Sequence, residues 1–163
     1  MKVMGIDAST RITGVAIYDG ELEYWNALDF SKNKDYDSRS GDMMMAIAHE
    51  IVERKPDVVY IEDTFEKRGK FDNIATMKKL CYIVGGVRMV CLTKHIPYNL
   101  ILPSEWRKSI GISKGSRTER ETFKERSLDY VKDKYGVTGV TDDVADAICI
   151  AEAGYINNCE LFE

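Results

Sequence analysis

The chain has few of the residues and runs that mark the commoner functional classes. It carries two histidines and four cysteines. The cysteines (Cys81, Cys91, Cys149, Cys159) stand singly in apolar patterns, with no CxxC spacing and no Cys/His pairing. Zinc and disulfide frameworks are thereby excluded, and reduced thiols packed in a core are expected. No run of eighteen apolar residues occurs, and the first residues alternate like a strand and hold an early acid where a leader would be charged and then apolar. The expectation is a cytoplasmic protein with no membrane association. A phosphate loop of the form GxxxxGK[ST] is missing, so no nucleotide cofactor is expected. Excess positive charge is missing too: the net charge is -4. A polyanionic partner then requires basic residues gathered locally.

What is present suits one domain spanning 1–163, with 44% hydrophobic residues to build one core. The organising stretch is the opening, MKVMGIDASTRITGVAIYDG. A short apolar run ends on Asp7, and alternation puts Val3, Gly5 and Asp7 on one face and Met4 and Ile6 on the other. A turn over residues 9–13 and a strand over 14–18 complete a hairpin with an acid at its mouth. Residues 21–30 alternate through Leu22, Tyr24, Asn26 and Leu28 and predict a third antiparallel strand. Residues 31–41 read as a polar loop. From Asp42, the apolar positions Met44, Met45, Ala48, Ile51 and Val52 predict a helix that packs its methionines into the core and stops before Pro56. Residues 57–61 predict a buried strand that runs into Glu62 and Asp63. A long helix follows over 74–94, interrupted by Gly85-Gly86, a pair that suggests close packing against another element or another subunit. Residues 97–102 form a short strand closed by Pro103. A helix over 141–156 starts at Thr141 and Asp142 as caps.

Two stretches answer the demand for local positive charge. Residues 64–73 hold Lys67, Arg68 and Lys70 between Phe65 and Phe71, a composition suited to phosphate contacts and to stacking on bases. Residues 104–136 are basic as well, but interleaved acids make most of this stretch an ordinary solvated helix. The exception is the segment KGSRTER, where Lys114, Arg117 and Arg120 precede the helix and can lean on a phosphate backbone.

The remaining signal is a set of carboxylates. Asp7 and Glu62 close two strands, and Asp143 and Asp146 share one face of the first turns of the last helix. Capping accounts for the earliest acids there but not for Asp146, which leads into an apolar face. Four acids gathered in a cleft raise one another's pKa and resist ionising unless hard cations neutralise them. Oxygen donors alone favour magnesium, with manganese as a substitute. Two such ions about 4 Å apart suit in-line displacement at a phosphodiester.

The segments GIDASTRITGVAI, VYIEDTF, LPSEWR and DDVADAICIAEA, in this order, resemble the RuvC family of Holliday junction resolvases over nearly the whole chain. The resemblance implies an α/β, RNase H-like fold: a mixed five-stranded sheet, its first three strands antiparallel, flanked by helices. It implies a magnesium-dependent DNA endonuclease with two ions per active site, acting as a homodimer on four-way junctions and other branched DNA, in the cytoplasm of a bacterium or of a virus's host. The family's metal-binding acids correspond to Asp7, Glu62, Asp143 and Asp146, and its junction-contacting aromatic to Phe65. Two rival readings stand beside it. One is a non-catalytic branched-DNA-binding module, against which the presence of all four acids counts. The other is an actin- or sugar-kinase-like phosphotransferase, which needs a second glycine-rich phosphate loop that the chain lacks.

Overall fold

The computed structural model describes residues 1–63, 74–112 and 120–160, and for residues 120–124 and 160 the backbone alone. A five-stranded sheet has the order β3-β2-β1-β4-β5. Its strands are β1 (Val3–Asp7), β2 (Ile12–Tyr18), β3 (Leu22–Asp29), β4 (Val58–Glu62) and β5 (Tyr98–Ile101). β1 pairs antiparallel with β2, and β2 with β3; β1 to β4 and β4 to β5 are parallel. The first three strands are therefore a meander, as their alternation predicts. The second strand starts at Ile12, inside the expected turn, because its pairing with β3 extends to Ile12 opposite Asp29.

Helices cover both faces. On one side lie α1 (Tyr36–Arg54) and α2 (Ile74–Thr93), packed on Met4, Ile6, Val15, Ile17, Val59 and Ile61. On the other lie α3 (Pro103–Ser109), α4 (Arg120–Tyr135) and α5 (Asp142–Glu160), over Val3, Ala16, Val58 and Tyr60. The period of two in β1 and β4 thus separates two cores. By the same parity Asp7 follows Val3 and Gly5, and Glu62 follows Val58 and Tyr60, onto the α5 face.

α5 runs directly across β1 and β2. A side chain at Gly5 would collide with the backbone of Ala147 and Ala151, and one at Gly14 with the carbonyl of Asp143. Two missing side chains therefore admit the helix to backbone contact. Gly14 is also the residue paired with Asp7. The gap beside Asp7 is thus the gap into which the first turn of α5 fits.

Several local expectations change. The expected loop over 31–41 is in part helix. α1 begins at Tyr36, where the Asp35 carboxylate caps it by accepting from Ser38 N–H at 2.7 Å. Its polar first turns persist because Arg39 is buried and donates to the carbonyls of Thr10, at 2.7 Å, and Asn33, at 2.6 Å. The buried stripe is also rotated: Met43, Ile47 and Ile51 point inward, whereas Met45 is 74% exposed and Val52 43%. Glu50 takes a place on the inner face, which hydropathy alone assigns to an apolar residue. It does so by accepting from Tyr24 Oη (2.8 Å), Asn26 Nδ2 (3.1 Å) and Arg54 Nε (3.2 Å). Of the cysteines, Cys91 and Cys149 are core thiols as expected, but Cys81 and Cys159 are exposed. The Gly85-Gly86 pair divides: Gly86 lies under Met44, and Gly85 meets nothing among the described residues.

Candidate active site

The register of the parallel pair β1–β4 sets Ile6 beside Ile61, which brings Asp7 and Glu62 to neighbouring strand ends. α5 supplies the other pair from its first turns, begun where Thr141 Oγ1 accepts from Val144 N–H at 3.3 Å. Asp7, Glu62, Asp143 and Asp146 are each half-buried, so the cluster sits at the rim of the sheet and is reachable from solvent.

The carboxylates act on one another. Burial, then the fields of Glu62, Asp146 and Asp143, hold the Asp7 carboxyl well above the ordinary range. Asp146 is pushed up to about 7, chiefly by burial, with Glu62 and Asp142 adding to the rise and a hydrogen bond from Ser127 and the Arg107 guanidinium opposing it. The sequence-predicted acids are thus brought into one electrostatic neighbourhood, and Asp142, which capping alone would explain, belongs to it. They share a field and not a ligand sphere: among the described residues no three Asp, Glu, His or Cys side chains are gathered closely enough to hold an ion. The donor chemistry nevertheless fits a hard divalent cation. All donors are carboxylate oxygens, and Asp146 Oδ1 is buried with no hydrogen-bond partner among the described residues.

α3 contributes groups from within the basic stretch over 104–136. Residues 103–109 are a helix with Pro103 in its first turn, and Glu105 Oε2 accepts from Leu102 N–H at 2.8 Å. The next residue, Trp106, is fully buried and donates Nε1–H to Glu62 Oε2 at 2.8 Å. Arg107 lies over the Trp106 ring, 4.5 Å from its centroid. The solvated-helix expectation also holds only in part for α4, which buries Ser127 and Val131 while exposing Asp129, Lys132 and Asp133. The signal for α3 was the proline followed two residues later by an acid, a helix start that the surrounding charges obscured.

Phe65, Lys67, Arg68, Lys70, Phe71, Lys114 and Arg117 lie outside the described residues. Arg120 opens α4.

No family profile matches the chain. Curated relatives do. The crossover junction endodeoxyribonuclease RuvC of Oleidesulfovibrio alaskensis is 29% identical over 155 residues, which cover 91% of this chain and 89% of that protein. The protein of the same name from Halorhodospira halophila is 25% identical over 154 residues, 92% and 87% of the two chains. Among solved structures, T. thermophilus RuvC in complex with Holliday junction substrate superposes with a TM-score of 0.78 at 17% identity, covering 98% of this chain and 96% of the other.

This chain is similar to RuvC in sequence and in fold.

The RuvC-like, RNase H-like architecture is shared at greater distance with the fowlpox virus Holliday junction resolvase, at a TM-score of 0.65 and 13% identity over 98% of this chain and 99% of the other. None of the described helices is long and apolar enough to cross a membrane.

Proposed function

We propose that the chain is a divalent-metal-dependent endonuclease that cuts branched DNA, four-way junctions foremost, by paired phosphodiester hydrolysis. One observation carries this reading. The seating of α5 against Gly5 and Gly14 brings Asp143 and Asp146 into the field of Asp7 and Glu62, in a fold whose solved neighbour is RuvC with a Holliday junction substrate.

In this reading Asp7, Glu62, Asp143 and Asp146 hold magnesium, two ions per site, with manganese able to substitute. Bound magnesium would supply Lewis-acid stabilisation of the charge that develops at the phosphate and on the leaving oxygen. The chain's own groups bind and orient. Arg107, whose charge already reaches Asp146, adds a cation beside the acids for an incoming phosphate. Residues 64–73 follow directly on Glu62 and Asp63, so Lys67, Arg68 and Lys70 engage the backbone near the scissile bond while Phe65 and Phe71 stack at the crossover. Lys114, Arg117 and Arg120 extend the phosphate track.

The active form is a homodimer, since two nicks in strands of like polarity call for two identical sites about a twofold axis. α2 is the proposed interface. Tyr82 (67% exposed), Met89 (59%) and Leu92 (55%) form an outward stripe with Gly85 at spacings of three and four, the seam of a helix pair. Among the described residues nothing lies over Gly85, which leaves room for a second helix to approach there.

The test is a synthetic four-way junction with each strand labelled in turn, incubated with magnesium or with EDTA. Paired nicks in magnesium alone are expected, and Glu62→Gln is expected to abolish cutting while junction affinity in a gel shift stays within about twofold, because the substitution keeps shape and removes one charge. A junction bound but never cut would leave a binding module. A junction neither bound nor cut would overturn the reading.

A further inference from the structure

Trp106 is a buried donor aimed at one of the proposed metal-binding acids, and packing alone does not account for its direction. An indole N–H can donate and cannot accept, so a buried tryptophan needs an acceptor. Here the acceptor is Glu62 Oε2, 2.8 Å away and 44 positions earlier in the chain. The donor is rigidly mounted. Trp106 is 0% exposed, its own N–H bonds to the Leu102 carbonyl at 3.2 Å, and Ser109 at the end of α3 donates to Asn157 of α5 at 2.9 Å. α3 is therefore tied both to the end of β5 and to the helix that carries Asp143 and Asp146.

We propose that Trp106 is a positioning residue for metal binding: its indole N–H, bonded to Oε2, fixes the orientation in which the Glu62 carboxylate meets a cation. This rests on the metal-dependent reading above. A carboxylate oxygen pair offers about four acceptor directions, so it can accept a hydrogen bond and hold an ion together. Hydrogen bonds to ligating carboxylates orient them, and their loss typically weakens metal affinity about 10- to 100-fold. A ring that only filled space would leave metal affinity unchanged when replaced by another ring.

Manganese binding, measured by calorimetry without DNA, separates these cases. Trp106→Phe keeps an aromatic ring and deletes the N–H. The expected result is manganese affinity lowered by about 10-fold or more, with the manganese requirement for junction cutting raised in parallel and the rate at saturating manganese largely recovered. Unchanged manganese affinity in a folded Trp106→Phe protein would overturn the proposal and leave the nuclease reading standing, whereas a wild-type protein that binds no manganese would remove both. Trp25→Phe supplies a second measurement that does not depend on how well the first variant folds. The chain has two tryptophans, so this variant leaves Trp106 as the sole indole emitter. Paramagnetic manganese should quench its emission saturably, with the midpoint found by calorimetry. Absence of that quench at concentrations that fill the site would place Trp106 away from the ion and overturn the assignment.

Discussion

Acids in this chain divide by what fills their oxygens. Glu152 is 2% exposed, and its carboxylate is occupied by Tyr130 Oη at 3.0 Å, Tyr135 Oη at 2.6 Å and the Lys134 ammonium, an arrangement that locks α4 to α5. Glu50 is filled in the same way on the other face. Asp146, by contrast, keeps Oδ1 buried without a hydrogen-bond partner among the described residues. That difference separates acids that hold the fold from the acid proposed to take a ligand. It has a pH consequence. Burial, ahead of the neighbouring acids, pushes the folded Asp146 carboxyl up to about 7 from an ordinary value of 3.8. Between those values the folded metal-free chain keeps a proton that the unfolded chain has released, so this contribution to stability is present at low pH and is lost as pH rises through the folded value. Calorimetric melting in EDTA should therefore give a Tm that falls from about pH 5 to about pH 8. Asp146→Asn should flatten the fall and raise Tm at the alkaline end. A wild-type Tm that rises over that interval in step with the variant's would contradict the assignment.

At the scale of elements, the docking of α5 controls the site. Its first turn reaches Asp7 only because Gly14, paired with Asp7, presents no side chain to the Asp143 carbonyl. Gly14→Ala puts a methyl group against backbone that has no flexible end to swing aside. We expect a loss of about 1 to 3 kcal/mol in urea unfolding, the usual range for overpacking. Cutting should drop further than stability explains, because the displaced helix carries two of the four acids. Unfolding curves and junction cleavage at a temperature where the variant is fully folded check both parts, and wild-type values for either would show that α5 can shift without cost.

For the whole molecule, the sheet separates two tasks. α3, α4 and α5 cover the face from which the acids emerge, and α1 and α2 cover the other. The outward stripe of α2 therefore stands on the face opposite α5 and is available to a second copy without covering the acids. Met89→Lys places a charge in the middle of that stripe and should leave the melting of the isolated chain nearly unchanged, since Met89 is 59% exposed. Sedimentation at micromolar concentration should show the wild type as a dimer and the variant shifted to monomer. The paired nicks should then become single, uncoordinated ones. A variant that stays dimeric would move the interface elsewhere.

The strands, their order along the chain and the positions of Asp7, Glu62, Asp143 and Asp146 were legible from the sequence, because alternation and terminal acids are local patterns that the sheet then preserves. The early start of α1, its rotated inner stripe, the short helix α3 and the exposure of Cys81 were not. The first three depend on partners distant in the chain: Arg39 on the Thr10 carbonyl, Glu50 on Tyr24 and Asn26, Trp106 on Glu62. Periodicity registers hydropathy and cannot register a polar group whose cost is removed by a hydrogen bond from elsewhere. The sequence by itself determined which acids the chain owns and on which strand ends and helix face they stand. Only the tertiary structure decided that Trp106 of α3 meets Glu62, 44 positions earlier in the chain, and that the acids share one field, the latter because Gly5 and Gly14 permit the close approach of helix to sheet.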